Sequence, residues 1–598
     1  MPGMNPTTAG FIYYPHPKEH DIPYKPAPPP NNPVVKGVLL HYLAYVVTHA
    51  PLVPSILWHN AGFGALRKLK ELSNLEPRYE PAVIPVTGND EGGSAGYTRR
   101  DLKNIRVPPK DSNGRFHTVL DVHDAYKSGT TTPSEIVERL LPLIRRDIGD
   151  RSPHSTAFVD SKVEIVRQAA EESSKRWKAG TELGVLDGVP FAVKDDVDVK
   201  GYKRYVGSKM DYTEGREVET SWCAKKLEEE GAICVGKLNM HELGMDTTNL
   251  NTYWGTPLNP YNERYYCGGS SGGPAYAVAS GLVPFAIGSD GGGSIRVPSS
   301  FCGLYGLKPS HGRVSIAPVS QSDSTTVVQG PLAANMGDLL LSYHVLAQPD
   351  PFHHISRQFV PPGPLSKARN KILGIYRPWF DLADPSVRET CYSVLHHFTT
   401  ELGYELIDIS IPLLHEGQLA HAMTIMSETV VAEPNISNLT APTRVLLKVA
   451  QQTPASDFLL AQRMRNLLMQ HLAYLFQTYP GLIIVTPTTP NAGCPINKGE
   501  LAYGVSDGNT QIRTMEYVWL ANFTGIPCIQ VPVGYVSSTQ GRGKVPVGLS
   551  GHGEWGSEEE LIQFGFDAEQ WMSEGGSDGN GRKKPENWVD ILSESDVA

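Results

Sequence analysis

The sequence predicts an α/β protein, a central β-sheet covered on both faces by α-helices. Two observations predict it. Short apolar runs rich in β-branched residues recur along the chain, separated by helix-like patterns of roughly 10–20 residues. The runs are apolar throughout rather than alternating, as strands buried on both faces are. With 598 residues, 40% hydrophobic and 19% charged, the chain has apolar material for a large core, and global disorder is excluded.

Taken in order, the first 36 residues are Pro-rich and polar, without the basic start and apolar run of a secretory signal. The long apolar stretch follows, Gly37 to Trp58, interrupted by His41, His49, Pro51 and Pro54. A spanning helix wants ~20 uninterrupted apolar residues, so no membrane span is expected. The stretch reads as a helix packed on the body, with peripheral membrane contact or the lining of a substrate entrance as alternatives. Residues 78–113 are rich in Gly, Pro and Asn and read as loop. Thr132-Pro133-Ser134-Glu135 ahead of IVERLLPLI is a capped amphipathic helix, and 162–178 is a second helix. Strands are expected at 189–193, 232–236, 283–288, 372–376, 482–487 and 528–534. The organisation is an N-terminal extension over 1–116, Pro-rich and then helical, a catalytic body over 117–572, and a polar, acidic tail over 573–598. Within that tail, 573–584 reads as a solvated loop.

Charge narrows the function classes. Lys and Arg number 53 against 63 Asp and Glu, a net charge of −10 without a long basic run, which argues against a nucleic-acid partner. Seven cysteines without tight spacing make no disulfide framework, and C-x-x-C and H-E-x-x-H, the usual zinc signatures, are absent. A soluble, cytoplasmic protein is expected, in which the N-x-[ST] triplets at Asn435, Asn438 and Asn522 carry no weight. Nothing in the sequence speaks against a homodimer.

The chemistry concentrates between Cys267 and Gly306. Glycines cluster at 268–269, 272–273 and 291–293, each cluster against serine. Such density implies unusual backbone or close approach to a ligand, and successive N–H groups there make anion-binding concavities. A flexible linker would not enclose the apolar segments PAYAVASGL and VPFAIG. A phosphate loop would need a Lys after the glycines, and none follows. Gly269-Ser270-Ser271-Gly272-Gly273 fits G-x-S-x-G with Ser271 as nucleophile, a pattern that needs an acid and then a His downstream. His311, His344, His421 and His471 lie downstream without distinguishing context. The third reading is a serine amidase whose base is Lys.

GGSSGG at 268–273, GSDGGGSIRVPSSFCGLYGLKPSHGRVS at 288–315 and LDGVPFAVKDDVDVKG at 186–201 carry a resemblance, supported by 228–262 and 522–534. From about residue 117 to 570, most loosely over 350–480, the chain resembles the amidase signature family of serine hydrolases. The resemblance implies a mixed central β-sheet flanked by helices on both faces, with the N-terminal helical extension outside it. It implies Ser294 as nucleophile, Lys194 as base, and Ser270 as the bridging serine, which in the family follows a cis peptide. The N–H groups of Gly291, Gly292, Gly293 and Ser294 would form the oxyanion hole, and Ser271, Asp290 and Arg296 would hold the loop. The residue after Asp290 is often larger in the family; Gly291 here implies a looser loop or a roomier acyl pocket. Met423 and Met426 fall where the family shapes substrate choice, although a Met cluster is more often part of a core. Cys267 and Cys302 read as buried packing, and the aromatic stretch 253–266 as pocket wall or loop packing.

The implied chemistry is sound. A serine hydroxyl needs a base. Lysine, with an ordinary pKa of ~10.4, must come down about three units to serve at neutral pH, and burial supplies shifts of that size. Asp195, Asp196 and Asp198 oppose it. If 189–194 is a strand, Asp195 faces away while Asp196 shares the lysine's side. The expectation is that Asp196 bonds backbone or another side chain and does not pair with Lys194. The implied activity is hydrolysis of a small or medium organic amide through an acyl-enzyme on Ser294, releasing ammonia or an amine and a carboxylic acid, with no metal or organic cofactor. The alternatives are a transamidating enzyme or esterase of the same fold, or a non-catalytic membrane-associated scaffold.

Overall fold

The six expected apolar runs all become strands, displaced by at most two residues at their starts, in a computed structural model. It describes residues 7–8, 10–28, 31–86, 105–109, 114–318, 324–363, 365, 370–579 and 581–593. Eleven strands form one mixed sheet: β1 (Phe158–Asp160), β2 (Pro190–Lys194), β3 (Ile233–Leu238), β4 (Phe285–Asp290), β5 (Tyr305–Lys308), β6 (Val328–Ala333), β7 (Ile372–Ile375), β8 (Glu405–Asp408), β9 (Leu482–Pro487), β10 (Cys528–Ser537) and β11 (Lys544–His552). Their spatial order is β8-β7-β9-β11-β10-β5-β6-β4-β2-β3-β1. β2 lies parallel between β3 and β4, and β7 parallel between β8 and β9. The remaining pairs are antiparallel.

Five strands escaped the sequence reading. β6 is VQGPLA, and its Gly330 and Pro331 read as breakers. In the sheet, Gly330 lets the Leu307 carbonyl and the Pro309 ring, at the end of the neighbouring strand β5, approach closely. β11, KVPVGLSGH, is likewise short of β-formers, and Gly548 leaves its space to the Gln530 side chain.

The N-terminal apolar stretch is two helices rather than one: α1 (Val38–His49) and α2 (Leu52–Asn60) meet at 111° across Ala50-Pro51. Proline cannot donate to the preceding turn, which fixes the break. Among the described residues, no single helix is long and apolar enough to cross a membrane. The expected helix pair on the body follows as α3 (Pro133–Ile144) and α4 (Val163–Ala179). The Thr132 hydroxyl accepts from the Glu135 N–H, and the Glu135 carboxylate accepts from the Thr132 N–H, a reciprocal cap. The helices around the site are α5 (Gly272–Ala279), α6 (Arg296–Phe301), α7 (Leu414–Ala432), α8 (Ala441–Ala450), α9 (Ala455–Thr478) and α10 (Gly508–Thr514). α1 and α2 pack on α8, Trp58 Nε1 donates to Thr453 Oγ1 at 3.1 Å, and Arg67 pairs with Asp457 at 2.7 Å.

The stretch 573–584 is not simply a solvated loop. Arg582 turns inward, donating to the carbonyls of Ala334 and Gly303, with its guanidinium over the rings of Phe116 and Tyr305. Val589 and Ile591 beyond it are buried. The polar composition concealed this because the arginine is satisfied by backbone carbonyls inside the body. The loop expected over 78–113 lies mostly outside the described residues, at 87–104 and 110–113, as do 594–598.

Candidate active site

The parallel pair β2 and β4 pairs Val193 with Ile287, so Lys194 ends its strand beside Ser289. The carboxyl ends of parallel strands are where open α/β sheets hold ligands. Lys194 Nζ lies 2.8 Å from Ser270 Oγ, 2.7 Å from Ser289 Oγ and 3.4 Å from the Ser289 carbonyl oxygen. The Gly269–Ser270 peptide is cis. Lys194 is fully buried, and desolvation drives its pKa below the ordinary lysine value against the opposing pull of Asp196 and Asp290.

Lys194 Nζ donates to the hydroxyls of Ser270 and Ser289 and to the Ser289 carbonyl oxygen, which together use its three donor directions. Asp195 faces away, as expected, and pairs with Lys237 at 3.1 Å inside the body. Asp196 departs from expectation in part. It accepts from the Ser289 hydroxyl, a side-chain bond of the kind foreseen, yet its Oδ2 also lies 3.7 Å from Lys194 Nζ. Ser289 bridges them, but the two side chains also pair as ions across that distance, so the expectation that Asp196 does not pair with Lys194 is overturned. Sequence reasoning overlooked Ser289, which lies one residue past the strand expected over 283–288 and inside the observed one.

Ser271 and Ser294 differ in access. Ser271 is fully buried and donates its hydroxyl to the Ser289 carbonyl at 3.1 Å. It faces no cavity, so a nucleophile elbow has no accessible serine there. Ser294 and Ser270 both line one cavity of about 430 Å³.

The loop carrying Ser294 is held from behind. Asp290 accepts from the N–H groups of Gly293 at 2.6 Å and Ile295 at 3.1 Å, and from both ends of the Arg296 guanidinium at 3.0 Å. Arg296 holds Asp290's pKa well below the ordinary carboxylate range, overcoming burial. One consequence corrects the sequence reading: the Gly293 N–H is committed to Asp290 and is not free for an oxyanion. Among the described residues, the N–H groups of Gly291, Gly292 and Ser294 have no protein acceptor, and all three residues line the cavity. Gly293 has φ +108°, a conformation that requires glycine.

Gly291 makes the loop neither looser nor the pocket roomier. A Cβ there would lie 2.8 Å from Ile425 Cδ1 and 2.9 Å from Val327 Cγ2, so neighbouring side chains occupy that space. His421 Nε2 lies 2.7 Å from the Gly291 carbonyl oxygen. Burial pulls His421's pKa down to about 4, so the neutral ring donates this bond. Asn522, met in the sequence as an N-x-[ST] triplet and as the first residue of the supporting match 522–534, is buried and donates to the carbonyls of Asp290 and Thr326 at 2.7 and 3.0 Å. It also accepts from Arg296 at 2.6 Å.

The cavity wall comes largely from α7, through Gln418, Ala422, Ile425, Met426 and Thr429, and from the N-terminal extension, through Leu43, Leu57 and Phe63. Met426 lines it; Met423 does not. Three residues earlier and off the 418–422–425–429 stripe, Met423 is buried in the core. Cys267 and Cys302 are buried, with the Cys302 thiol 3.4 Å from the Cys267 carbonyl oxygen.

Comparison with known proteins places these features in a family. The family model Amidase matches residues 146–562. A fatty acid amide hydrolase of Medicago truncatula is 33% identical over 494 residues, 80% of this chain and 79% of its own, and one of Arabidopsis thaliana is 32% identical over 498. One component of the glutamyl-tRNA(Gln) amidotransferase of Natranaerobius thermophilus is 29% identical over 490 residues, 76% of this chain and 95% of its own. Among solved structures, a bacterial aryl acylamidase superposes with a TM-score of 0.65 at 23% identity over 76% of this chain and 96% of its own, a likeness of fold. With the family model spanning most of its length, the chain belongs to the amidase signature family.

Proposed function

We propose that the chain is a serine hydrolase that cleaves carboxamides bearing a long apolar acyl chain, with Ser294 as nucleophile and Lys194 as base acting through Ser270. Hydrolysis of amides is the activity its family membership gives it; the serine mechanism and the substrate are the finer reading. The observation that carries it is a buried lysine 2.8 Å from a hydroxyl that opens, with Ser294 and the free N–H groups of 291 and 292, into one cavity.

Neutral Lys194 accepts the Ser270 proton as Ser270 accepts that of Ser294, and Ser294 attacks the carbonyl carbon. The oxyanion is met by the N–H groups of Gly291, Gly292 and Ser294. The same relay returns the proton to the leaving nitrogen, and water then resolves the acyl-enzyme. The substrate reading moves beyond the small or medium amide expected from sequence, because the cavity's apolar lining residues Leu43, Leu57, Phe63, Leu419, Ile425 and Met426 suit an extended hydrocarbon. A cavity of this size is that of a ligand site, and the fatty acid amide hydrolases among the relatives point the same way.

Intact-mass spectrometry after fluorophosphonate treatment tests the mechanism. One adduct is expected on the native chain and on Ser271→Ala, and none on Ser294→Ala. An adduct surviving Ser294→Ala would sink the assignment.

The same reading includes peripheral contact with a membrane through α1 and α2. Leu39, Tyr42, Leu52 and Ile56 are exposed, and the same two helices bring Leu43 and Leu57 to the cavity. An apolar substrate would pass from lipid to the site without crossing water. Liposome flotation is the check. The native chain is expected to float, and Leu39→Glu with Ile56→Glu to remain below; equal distribution of the two proteins would dispose of the contact.

A further inference from the structure

A second cavity of about 380 Å³ adjoins the first, and Asp246, Thr247, Val505, Asp507 and Gln511 line both. Its character is different. Carboxylates face it from Asp246, Asp384, Glu500 and Asp507, and the one cation among its described lining residues, Arg513, is tied to Asp384 at 2.6 Å.

Most of these acids are occupied. Glu500 accepts from the Tyr266 hydroxyl at 3.0 Å and the Asn497 N–H at 2.9 Å, and Asp507 caps α10 through the N–H groups of Asn509 and Thr510. Asp246 is different. Its Oδ1 accepts from the Thr248 N–H and hydroxyl, both at 2.7 Å, and its Oδ2 takes no hydrogen bond from the described residues. Beside it, Thr247 is 4% exposed, and its hydroxyl has no hydrogen-bond partner although it lines both cavities. A buried hydroxyl without a partner is costly unless a ligand supplies one.

The position relative to the reacting atoms decides which part of a substrate would lie there. The leaving nitrogen must meet Ser270 Oγ, which returns its proton. Residues 244–247 begin at that hydroxyl: a Cβ on Gly244 would stand 3.4 Å from Ser270 Oγ, and the Gly269 N–H donates to the Thr247 carbonyl at 2.7 Å. From there the segment runs into the second cavity. With the acyl chain against the apolar lining of the first cavity, the amine portion of the amide points along this segment toward the carboxylates.

We propose that the junction formed by Asp246 and Thr247 selects amides whose amine portion carries a second, protonated amino group, with Asp246 taking the ammonium and Thr247 one of its N–H bonds. This deepens the amide-hydrolase reading and rests on it. An ammonium there meets an acidic, part-buried wall where opposite charge attracts more strongly than in water.

The test compares the aminobutyl and hydroxybutyl amides of dodecanoic acid with the full chain near neutral pH. The aminobutyl amide is expected to be preferred about tenfold in kcat/KM, a preference worth one pKa-scale unit of interaction. The preference is expected to sit in KM, to shrink as salt screens the charges, and to be lost in Asp246→Asn and regained in part in Asp246→Glu. The salt titration uses the native chain and so stands even if a variant folds poorly. Equal kcat/KM for the two amides, or a preference that survives both salt and Asp246→Asn, overturns this inference and leaves amide hydrolysis intact. Hydrolysis of neither amide overturns the activity reading and this inference with it.

Discussion

Lys194→Ala is expected to lower kcat by about 10⁴-fold, the scale on which removal of one member of a nucleophile–base unit acts. Fluorophosphonate labelling should slow in parallel, because proton removal from Ser294 is common to both reactions. The pH profile of the native chain separates a base from a merely structural lysine. A protonated ammonium has no lone pair to offer Ser270, so kcat/KM should rise with pH as Lys194 deprotonates. Burial places that limb below the ordinary lysine range. The charged groups that oppose the shift are Asp196 and Asp290, and Ser289 stands between Asp196 and the amine. Asp196→Asn should therefore move the limb further down. A profile without such a limb, or a Lys194→Ala variant of near-native rate, would remove lysine from the mechanism.

Arg296→Met is the largest stability effect expected. It removes one partner of a fully buried ion pair and leaves the Asp290 carboxylate buried without its guanidinium, a change that typically costs about 3–5 kcal/mol. Urea denaturation measures it. The acid limb supplies the sign. Asp290's pKa is depressed in the folded chain, so its contribution is complete above the unfolded carboxyl value and is lost as pH falls through the folded one. Without the guanidinium, burial dominates and the carboxyl value rises, so acid unfolding of the variant should begin at higher pH. Activity should fall too, because Asp290 orients the Gly293 and Ile295 N–H groups and, with Asn522, the backbone that presents Ser294. Equal urea midpoints for the two proteins would contradict this account.

Much of the architecture was legible because it depends on local pattern. The runs at 189–193 and 283–288 are apolar on both faces, and such runs form buried strands wherever a sheet closes around them. The cap at Thr132 and Glu135 is local in the same sense. The site residues were legible only through a long motif. Neither Lys194 before two aspartates nor Ser294 after three glycines has a local signature of chemistry, since the groups that perturb them come from segments up to 76 and 95 residues away in sequence.

What the sequence determined by itself was the α/β class, the buried strands expected over 189–193 and 283–288, and the reciprocal helix cap at Thr132 and Glu135. What only the tertiary structure decided were relations across the chain. Ser289 bridges Lys194 and Asp196, the Gly293 N–H turns to Asp290 instead of the cavity, Ile425 fills the space beside Gly291, and Met426 reaches the cavity while Met423 enters the core. The physical reason is common to all four. Pattern along a chain fixes which face of an element is apolar, but packing against distant elements fixes which atoms meet, and proton transfer depends on those meetings at the scale of a hydrogen bond.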